Sequence, residues 1–134
     1  MMLTRRILNG ALIAGALALA APLAPSWANS AVPYSEDAFK AAQAAGSPIL
    51  VEIHAWWCPV CKAQGPILDQ LTAQPKFKDL KIFRVDFDGM KPVVQQFGAQ
   101  MQSTLIVFKG STEKGRSVGD TKEASIAALL GKSL

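Results

Sequence analysis

Trp57-Cys58-Pro59-Val60-Cys61 contains both cysteines of the 134-residue chain. A disulfide between two such close residues closes a very small ring, and cross-linking so short a loop constrains the unfolded chain very little. A purely structural bridge is therefore not expected. Two chemical uses of the pair remain, thiol-disulfide exchange and metal ligation, and the residues around the motif must distinguish them.

The motif lies between a predicted strand and a predicted helix. The nearly continuous apolar run at 49–54 is typical of a central strand that is covered on both faces. From 59 to about 72, apolar residues recur at helical spacing, and Pro66 is expected to kink that helix. Cys58 is thus predicted near the helix N-terminus, where unpaired amides stabilise a thiolate. We expect Cys58 to be the exposed, attacking sulfur and Cys61, one turn further on, to be the more buried thiol that resolves the mixed disulfide.

The remaining segments predict a mixed α/β sheet of about four strands, covered by helices on both faces. N-terminal to the motif, 29–34 is interpreted as a linker and 35–45 as a helix that Gly46 ends. Asp120 and Glu123 have the spacing of a capping box at the start of the last helix. The elements predicted after the motif helix are a strand at 81–87, a helix at 91–97, a strand at 104–109, a turn at 110–115, a strand around 116–118 and a helix ending near 130.

The N-terminal segment 1–28 has the pattern of a signal peptide. Arg5-Arg6 gives it a positive start, an alanine-rich apolar run follows at 11–24, and Ser26-Trp27-Ala28 supplies small residues for cleavage after position 28. The apolar run is shorter than the roughly 20 residues of a spanning helix, so an uncleaved anchor is less favoured. We expect one domain at 29–134, exported to the bacterial periplasm, where disulfides persist. The arginine pair fits a Sec signal and a twin-arginine signal equally well.

The net charge of +4 gives no support for nucleic-acid binding. Two of the basic residues lie in the predicted signal peptide, and no basic cluster is interleaved with aromatic residues.

Four blocks accompany the cysteine motif in a fixed order. They are Gly65-Pro66-Ile67-Leu68-Asp69, Val85-Asp86-Phe87-Asp88, Phe97-Gly98 and Thr104-Leu105-Ile106-Val107-Phe108-Lys109-Gly110. With these blocks, the chain from about 34 to 130 resembles the thioredoxin family. The resemblance implies a three-layer thioredoxin-like fold and an exported thiol-disulfide oxidoreductase that acts through Cys58 and Cys61 without a cofactor. Reduction is the preferred direction, because Pro59-Val60 lacks the histidine found in strong oxidants and isomerases of this fold.

Glu52 occupies the position where thioredoxins usually keep a buried acid beneath the second cysteine. The resemblance therefore implies a proton acceptor for Cys61. Independently, burial in an apolar strand would desolvate the carboxyl group and raise its pKa toward the range of thiol chemistry. A glutamate on a solvated face is the alternative. Arg84 aligns with a basic residue that many relatives have near this acid, and it either favours the Glu52 anion or is a plain surface arginine.

The resemblance also implies a surface for protein substrates. Trp57 borders the partner-binding groove of thioredoxins, and the apolar pair Pro59 and Val60 extends that contact surface. Trp56 is equally compatible with this surface and with core packing. For His54, the only histidine, a packed strand residue is favoured over a group that tunes the thiolate or ligates a metal.

Ser103 departs from the family pattern. Nearly all redox proteins of this fold have a cis-proline just before the strand that begins here at Thr104, but Pro92 is the last proline of the chain. A cis bond before a residue other than proline costs about 2.5–4 kcal/mol, so we predict a trans Gln102–Ser103 bond. This loop is still expected to contact substrate.

A metal or iron-sulfur carrier is the alternative function, in which His54 or Ser103 would assist the two sulfurs. Two cysteines and one histidine are too few for a closed zinc site in a monomer. We therefore favour an oxidoreductase with no metal site. We expect it to act as a monomer on protein thiols and disulfides, to have a redox partner protein, and to bind neither nucleic acid nor, after signal cleavage, the membrane.

Overall fold

A five-stranded mixed sheet forms the centre of the protein, and a computed structural model describes residues 29–134. The predicted signal peptide and its cleavage site at 28 lie outside the described residues. The elements follow the order β1 (Val32–Pro33), α1 (Glu36–Ala44), β2 (Pro48–His54), α2 (Pro59–Thr72), a 3₁₀ turn (Pro75–Phe77), β3 (Lys81–Asp86), α3 (Lys91–Gln96), β4 (Thr104–Lys109), β5 (Thr112–Val118) and α4 (Glu123–Gly131).

Strand β2 lies at the middle of the sheet, whose order is β1-β3-β2-β4-β5. It runs parallel to β3 and antiparallel to β4, while β1 is parallel to β3 and β5 is antiparallel to β4. Register pairs Glu52 with Arg84 on β3 and Ile53 with Thr104 on β4. The C-terminal end of β2, which leads into the cysteine motif, is thus fixed from both sides.

Two apolar clusters cover the two faces of the sheet. Alternate residues of β2 divide between them, since Ile49, Val51 and Ile53 enter one cluster and Leu50 enters the other. The first cluster is built around aromatic rings that meet largely edge to face, with centroids 5.3–6.4 Å apart: Tyr34, Phe39, Phe83, Phe97 and Phe108. The predicted α/β fold with a mixed sheet covered on both faces is confirmed.

The sheet has one strand more than the predicted four. The segment 29–34, interpreted as a linker, contains β1, which has only two residues and is too short to show an alternating pattern. Pro33 fits this edge position because it has no amide to donate. Strand β5 begins at Thr112 rather than near 116, because an exposed edge strand rich in charged residues has no apolar alternation to mark its start.

The capping box predicted for the last helix is wrong. The N-cap of α4 is Lys122, which makes no side-chain capping hydrogen bond, and Glu123 is the first helical residue. Asp120 lies two residues before the N-cap, so its carboxylate accepts hydrogen bonds from the Lys122 amide, at 3.0 Å, and from the Ser125 hydroxyl. None of the helices described within 29–134 is long and apolar enough to cross a membrane.

Candidate active site

Cys58 is the N-cap residue of α2, as predicted from its place after the central strand. Its backbone is extended, and its Sγ accepts a hydrogen bond of 3.1 Å from the Cys61 amide. Pro59 follows in the first turn, where a missing amide costs nothing. The sulfur therefore faces the unpaired amides and the positive end of the helix dipole, both of which stabilise a thiolate.

The two sulfurs are both buried, which corrects the expectation of an exposed Cys58 above a buried Cys61. Cys58 is 1% exposed and Cys61 is 5% exposed. They form a small cluster with Ala55, and Val60 and Phe87 pack against it, so apolar side chains cover the pair. Both cysteines are free thiols in this structure.

The electrostatic surroundings of Cys61 favour its neutral thiol form. Burial raises the pKa of the Cys61 thiol above its usual value of 9.0, and the hydrogen bond to the Cys58 side chain raises it further. Hydrogen bonds from the backbone of Ala55 and Ser103 act in the opposite direction but are weaker. Cys61 is thus held as a thiol, while its own amide is directed at the Cys58 sulfur.

Glu52 lies buried in β2, and the solvated-face alternative for this residue is wrong. Its Oε2 accepts two hydrogen bonds from the Arg84 guanidinium, at 2.9 and 3.0 Å. Burial raises the pKa of the Glu52 carboxyl above its ordinary value, and the charge and hydrogen bonds of Arg84 offset only part of that rise. Arg84 is therefore the partner of the buried acid, although its own side chain is 46% exposed.

A cavity of about 10 Å³ joins the buried acid to the second cysteine. Glu52, Cys61, Gln64, His54 and Arg84 are among the residues that line it. A volume of this order is about the smallest that holds one water molecule. The arrangement can therefore pass a proton between Cys61 and Glu52 through a single water.

The two tryptophans before Cys58 are exposed to different extents. Trp57 is 43% exposed, and its Nε1 donates a hydrogen bond of 2.7 Å to Asp88 on the loop after β3. Trp56 is 77% exposed, so the core-packing alternative for this ring is wrong. Pro59 is exposed and Val60 is half-buried, which places both at the rim of the cysteine pair.

The loop that contains Ser103 lies beside Cys61, whose thiol its backbone reaches. The described residues contain no cis peptide bond, so the predicted trans Gln102–Ser103 bond is confirmed. Ser103 has a φ of 59°, in the left-handed region. Its amide donates to Ile53 O at 2.7 Å, and its carbonyl accepts from the Gly119 amide at 3.0 Å. Gln102 is half-buried and Ser103 is buried.

Two residues of the site were not identified from the sequence. Gln64 is buried on α2, and its amide donates to the carbonyls of Ser103 and Asp120, at 3.2 and 2.9 Å. Asp88 anchors the Trp57 ring. A polar residue on the apolar face of a predicted helix was the available signal for Gln64, whereas nothing local distinguished Asp88 from a turn residue.

His54 lies at the end of β2 and is half-buried. Burial lowers the pKa of its imidazole below 6.5, and the nearby Arg84 charge lowers it further, against the opposing effect of Asp86. Within 29–134, no three side chains among His, Cys, Asp and Glu are grouped so that they could hold a metal ion. The metal-carrier alternative therefore lacks a third ligand of these types beside the cysteines.

The chain is similar to thioredoxins in sequence and in structure. A family model described as Thioredoxin matches residues 30–132. The thioredoxin of Chlamydia muridarum is 36% identical over 98 residues, which cover 73% of this chain and 93% of that protein. A thioredoxin H-type of Brassica oleracea is 35% identical over 94 residues, covering 70% and 75%. The crystal structure of Trxlp from Edwardsiella tarda EIB202 has a TM-score of 0.73 at 46% identity, covering 75% of this chain and 98% of that one.

The raised pKa of Glu52 makes stability depend on pH in a known direction. The folded protein binds this proton more tightly than the unfolded chain does, so the stability present below the ordinary pKa of 4.5 is lost as pH rises through the folded pKa. Glutamine cannot ionise and avoids that loss. We expect urea denaturation to show Glu52→Gln gaining stability relative to the wild type as pH rises above 4.5 and toward the folded pKa of Glu52. A difference that stays flat or falls with pH would contradict the assignment.

The left-handed conformation of Ser103 predicts an inverted order of stability for two substitutions. A protein with alanine at a given position is normally more stable than one with glycine there. In a left-handed backbone conformation, however, a residue with a Cβ costs roughly 1–2 kcal/mol. We expect urea denaturation to show Ser103→Gly more stable than Ser103→Ala by about 1 kcal/mol. As a matched control, Ala63→Gly on the exposed face of α2 should follow the usual order and lose about 1 kcal/mol. Greater stability of Ser103→Ala than of Ser103→Gly would refute this.

Proposed function

The chain belongs to the thioredoxin family and is an oxidoreductase of protein disulfides, and from that membership we propose that it works as an exported reductant of protein disulfides. The observation that carries the proposal is the Cys58 sulfur at the N-terminus of α2, hydrogen-bonded to the amide of Cys61. This placement stabilises the charged form of one sulfur and keeps the second within reach.

The first step is attack on a partner protein. The Cys58 thiolate displaces one sulfur of the partner disulfide, so that a Cys58–partner disulfide forms as the partner S–S bond breaks. The displaced sulfur leaves as a thiolate and takes a proton from solvent. Because apolar side chains cover both cysteines, the partner must make contact at the rim formed by Trp57, Pro59 and Val60.

The second step needs Cys61 to lose its proton. The deprotonated Cys61 attacks the Cys58 sulfur, the mixed disulfide breaks, and the second partner thiolate is released. Two electrons have then passed to the partner, and the protein holds a Cys58–Cys61 disulfide. A redox partner protein returns it to the dithiol form, as thioredoxins act on protein disulfides together with reductase partners.

Glu52 is the proton acceptor in this second step. Its carboxylate shares with Cys61 a cavity of about the smallest size that holds one water, and burial raises its pKa toward that of a thiol. Arg84 stabilises the charged form through two hydrogen bonds, so that Glu52 is available as a base although it is buried.

Substrate contact is assigned to Trp57, Pro59, Val60, Gln102 and Ser103. The first three lie at the rim of the buried cysteine pair, and the loop with Gln102 and Ser103 lies beside Cys61. The backbone of Ser103 is fixed by three hydrogen bonds, one donated to Ile53 and two accepted from Gly119 and Gln64. The shape of this loop is therefore maintained without proline.

Export and direction rest on features of the sequence. The charged start and apolar run of 1–28 are typical of a signal peptide, which supports a periplasmic location. The absence of histidine between the cysteines supports reduction over oxidation. We propose that the mature protein acts there as a monomer.

Trapping tests the proposed function. In full-length protein expressed in a Gram-negative host, Cys61→Ser should accumulate a disulfide between Cys58 and its substrates, because the resolving thiol is missing. We expect the adducts in the periplasmic fraction, released by reductant and absent from Cys58→Ser/Cys61→Ser.

Three results would contradict parts of this proposal. Adducts confined to the cytoplasm would refute export. Wild-type protein held mainly as the Cys58–Cys61 disulfide in growing cells would refute the reductive direction, since a reductant must be kept as the dithiol. Full disulfide-reducing activity in both Cys58→Ser and Cys61→Ser would refute the oxidoreductase assignment for this site.

A further inference from the structure

Two cavities lie at the end of β2, and they share two lining residues. The inner cavity, described above, contains Glu52 and Cys61. The outer one is an open groove of about 330 Å³ at the surface, whose walls include Trp56, Asp86 and Met90. Of the residues that the structure describes, only His54 and Arg84 line both.

The proton that Glu52 accepts from Cys61 must leave the inner cavity. Each catalytic cycle delivers one proton from Cys61 to Glu52, and Glu52 must release it before it can serve as a base again. Glu52 is buried, so it cannot pass the proton directly to bulk water. One route from the inner cavity to bulk water leads through the wall that His54 and Arg84 form between it and the outer groove.

Chemistry distinguishes the two wall residues. A guanidinium stays protonated at all physiological pH values, so Arg84 can hold charge but cannot relay a proton. An imidazole accepts a proton at one nitrogen and releases one from the other. We propose that His54 relays the proton of Cys61 from Glu52 in the inner cavity to water in the outer groove. This proposal rests on the proposed role of Glu52 as the base for Cys61.

The surroundings of His54 suit this transfer. The groups that face it are Glu52 and Cys61 in the inner cavity, Arg84 in the wall, and Asp86, its register partner on β3. Burial raises the pKa of Glu52 from 4.5 and lowers the pKa of His54 from 6.5, so the two values approach each other. Proton transfer between groups of similar pKa needs little free energy in either direction.

The proton balance of the relay is closed. Glu52 protonated by Cys61 gives its proton to neutral His54, through water in the cavity where needed, and returns to the carboxylate. The imidazolium then gives a proton to water in the groove and becomes neutral. No electrons move in these steps. In this scheme His54 acts through Glu52 and not on the sulfurs, so it is a positioning residue.

The experiment follows the two sulfurs separately. Reduced protein reacts in a stopped-flow instrument with a nitroaromatic disulfide that releases one yellow thiolate when Cys58 attacks and a second when Cys61 resolves. That leaving group stays unprotonated at neutral pH, so the proton lost in the second phase is that of Cys61. The first phase is an internal control for folding and for Cys58.

We expect His54→Gln to slow the second phase about tenfold and to leave the first phase unchanged. A group that acts directly as acid or base contributes roughly 10²–10⁴-fold. The loss is smaller here because water can still carry the proton, although more slowly. The pH profile of the second phase should also lose the inflection that belongs to His54. In His54→Ala, added imidazole should restore the rate. Met90→Leu, a substitution in the same groove without a titratable group, should match the wild type in both phases.

The outcomes distinguish a failure of the His54 relay from a failure of Glu52 as the base for Cys61. If Glu52→Gln leaves the second phase at the wild-type rate, the proposed base is wrong and the relay fails with it. If Glu52→Gln slows the second phase but His54→Gln keeps the wild-type rate and pH profile, the relay alone is wrong. A slow His54→Ala protein that imidazole does not restore also overturns the relay, since a structural role predicts that result.

Discussion

The hydrogen bond from the Cys61 amide to the Cys58 sulfur is the interaction on which the site depends. It exists because β2 is the central strand, fixed by β3 on one side and β4 on the other, and because α2 begins a short turn after that strand ends. One sulfur is thereby placed at the positive end of a helix, and the other lies one turn inside it. The chemical difference between two neighbouring cysteines follows from this placement rather than from exposure, since both are buried.

The buried acid behind the cysteines requires an arginine. A carboxylate without a partner inside the protein would be strongly disfavoured, and Arg84 offsets part of that cost from the adjacent position on β3. The compensation is incomplete, so the pKa of Glu52 stays above its ordinary value. An acid that was fully stabilised as an anion would be a poor acceptor for a thiol proton, and without Arg84 the pKa of Glu52 would be higher still.

The sequence predicts the parts of the fold that have strong local patterns, and it fails where local patterns are weak. The bounds of α2 and β4 agree with the predicted ones. Apolar residues recur at helical spacing along α2, and β4 is a nearly continuous apolar run. The two-residue β1, the start of β5 and the cap of α4 were missed. Edge pairing depends on tertiary contacts, and so does the position of Asp120, whose carbonyl accepts a hydrogen bond from Gln64 on α2. The equal burial of the two cysteines likewise depends on Phe87, a residue distant in sequence.

The central claim is that Cys58 is the attacking sulfur and Cys61 the resolving thiol, and alkylation tests it most directly. Reduced, folded protein is treated at neutral pH with a limiting amount of iodoacetamide, and peptide mapping by mass spectrometry locates the label. The account predicts that Cys58 is modified while Cys61 remains a free thiol, because the thiolate reacts and the helix N-terminus stabilises it only at Cys58. Labelling of Cys61 first, or of both sulfurs at the same rate, would contradict it.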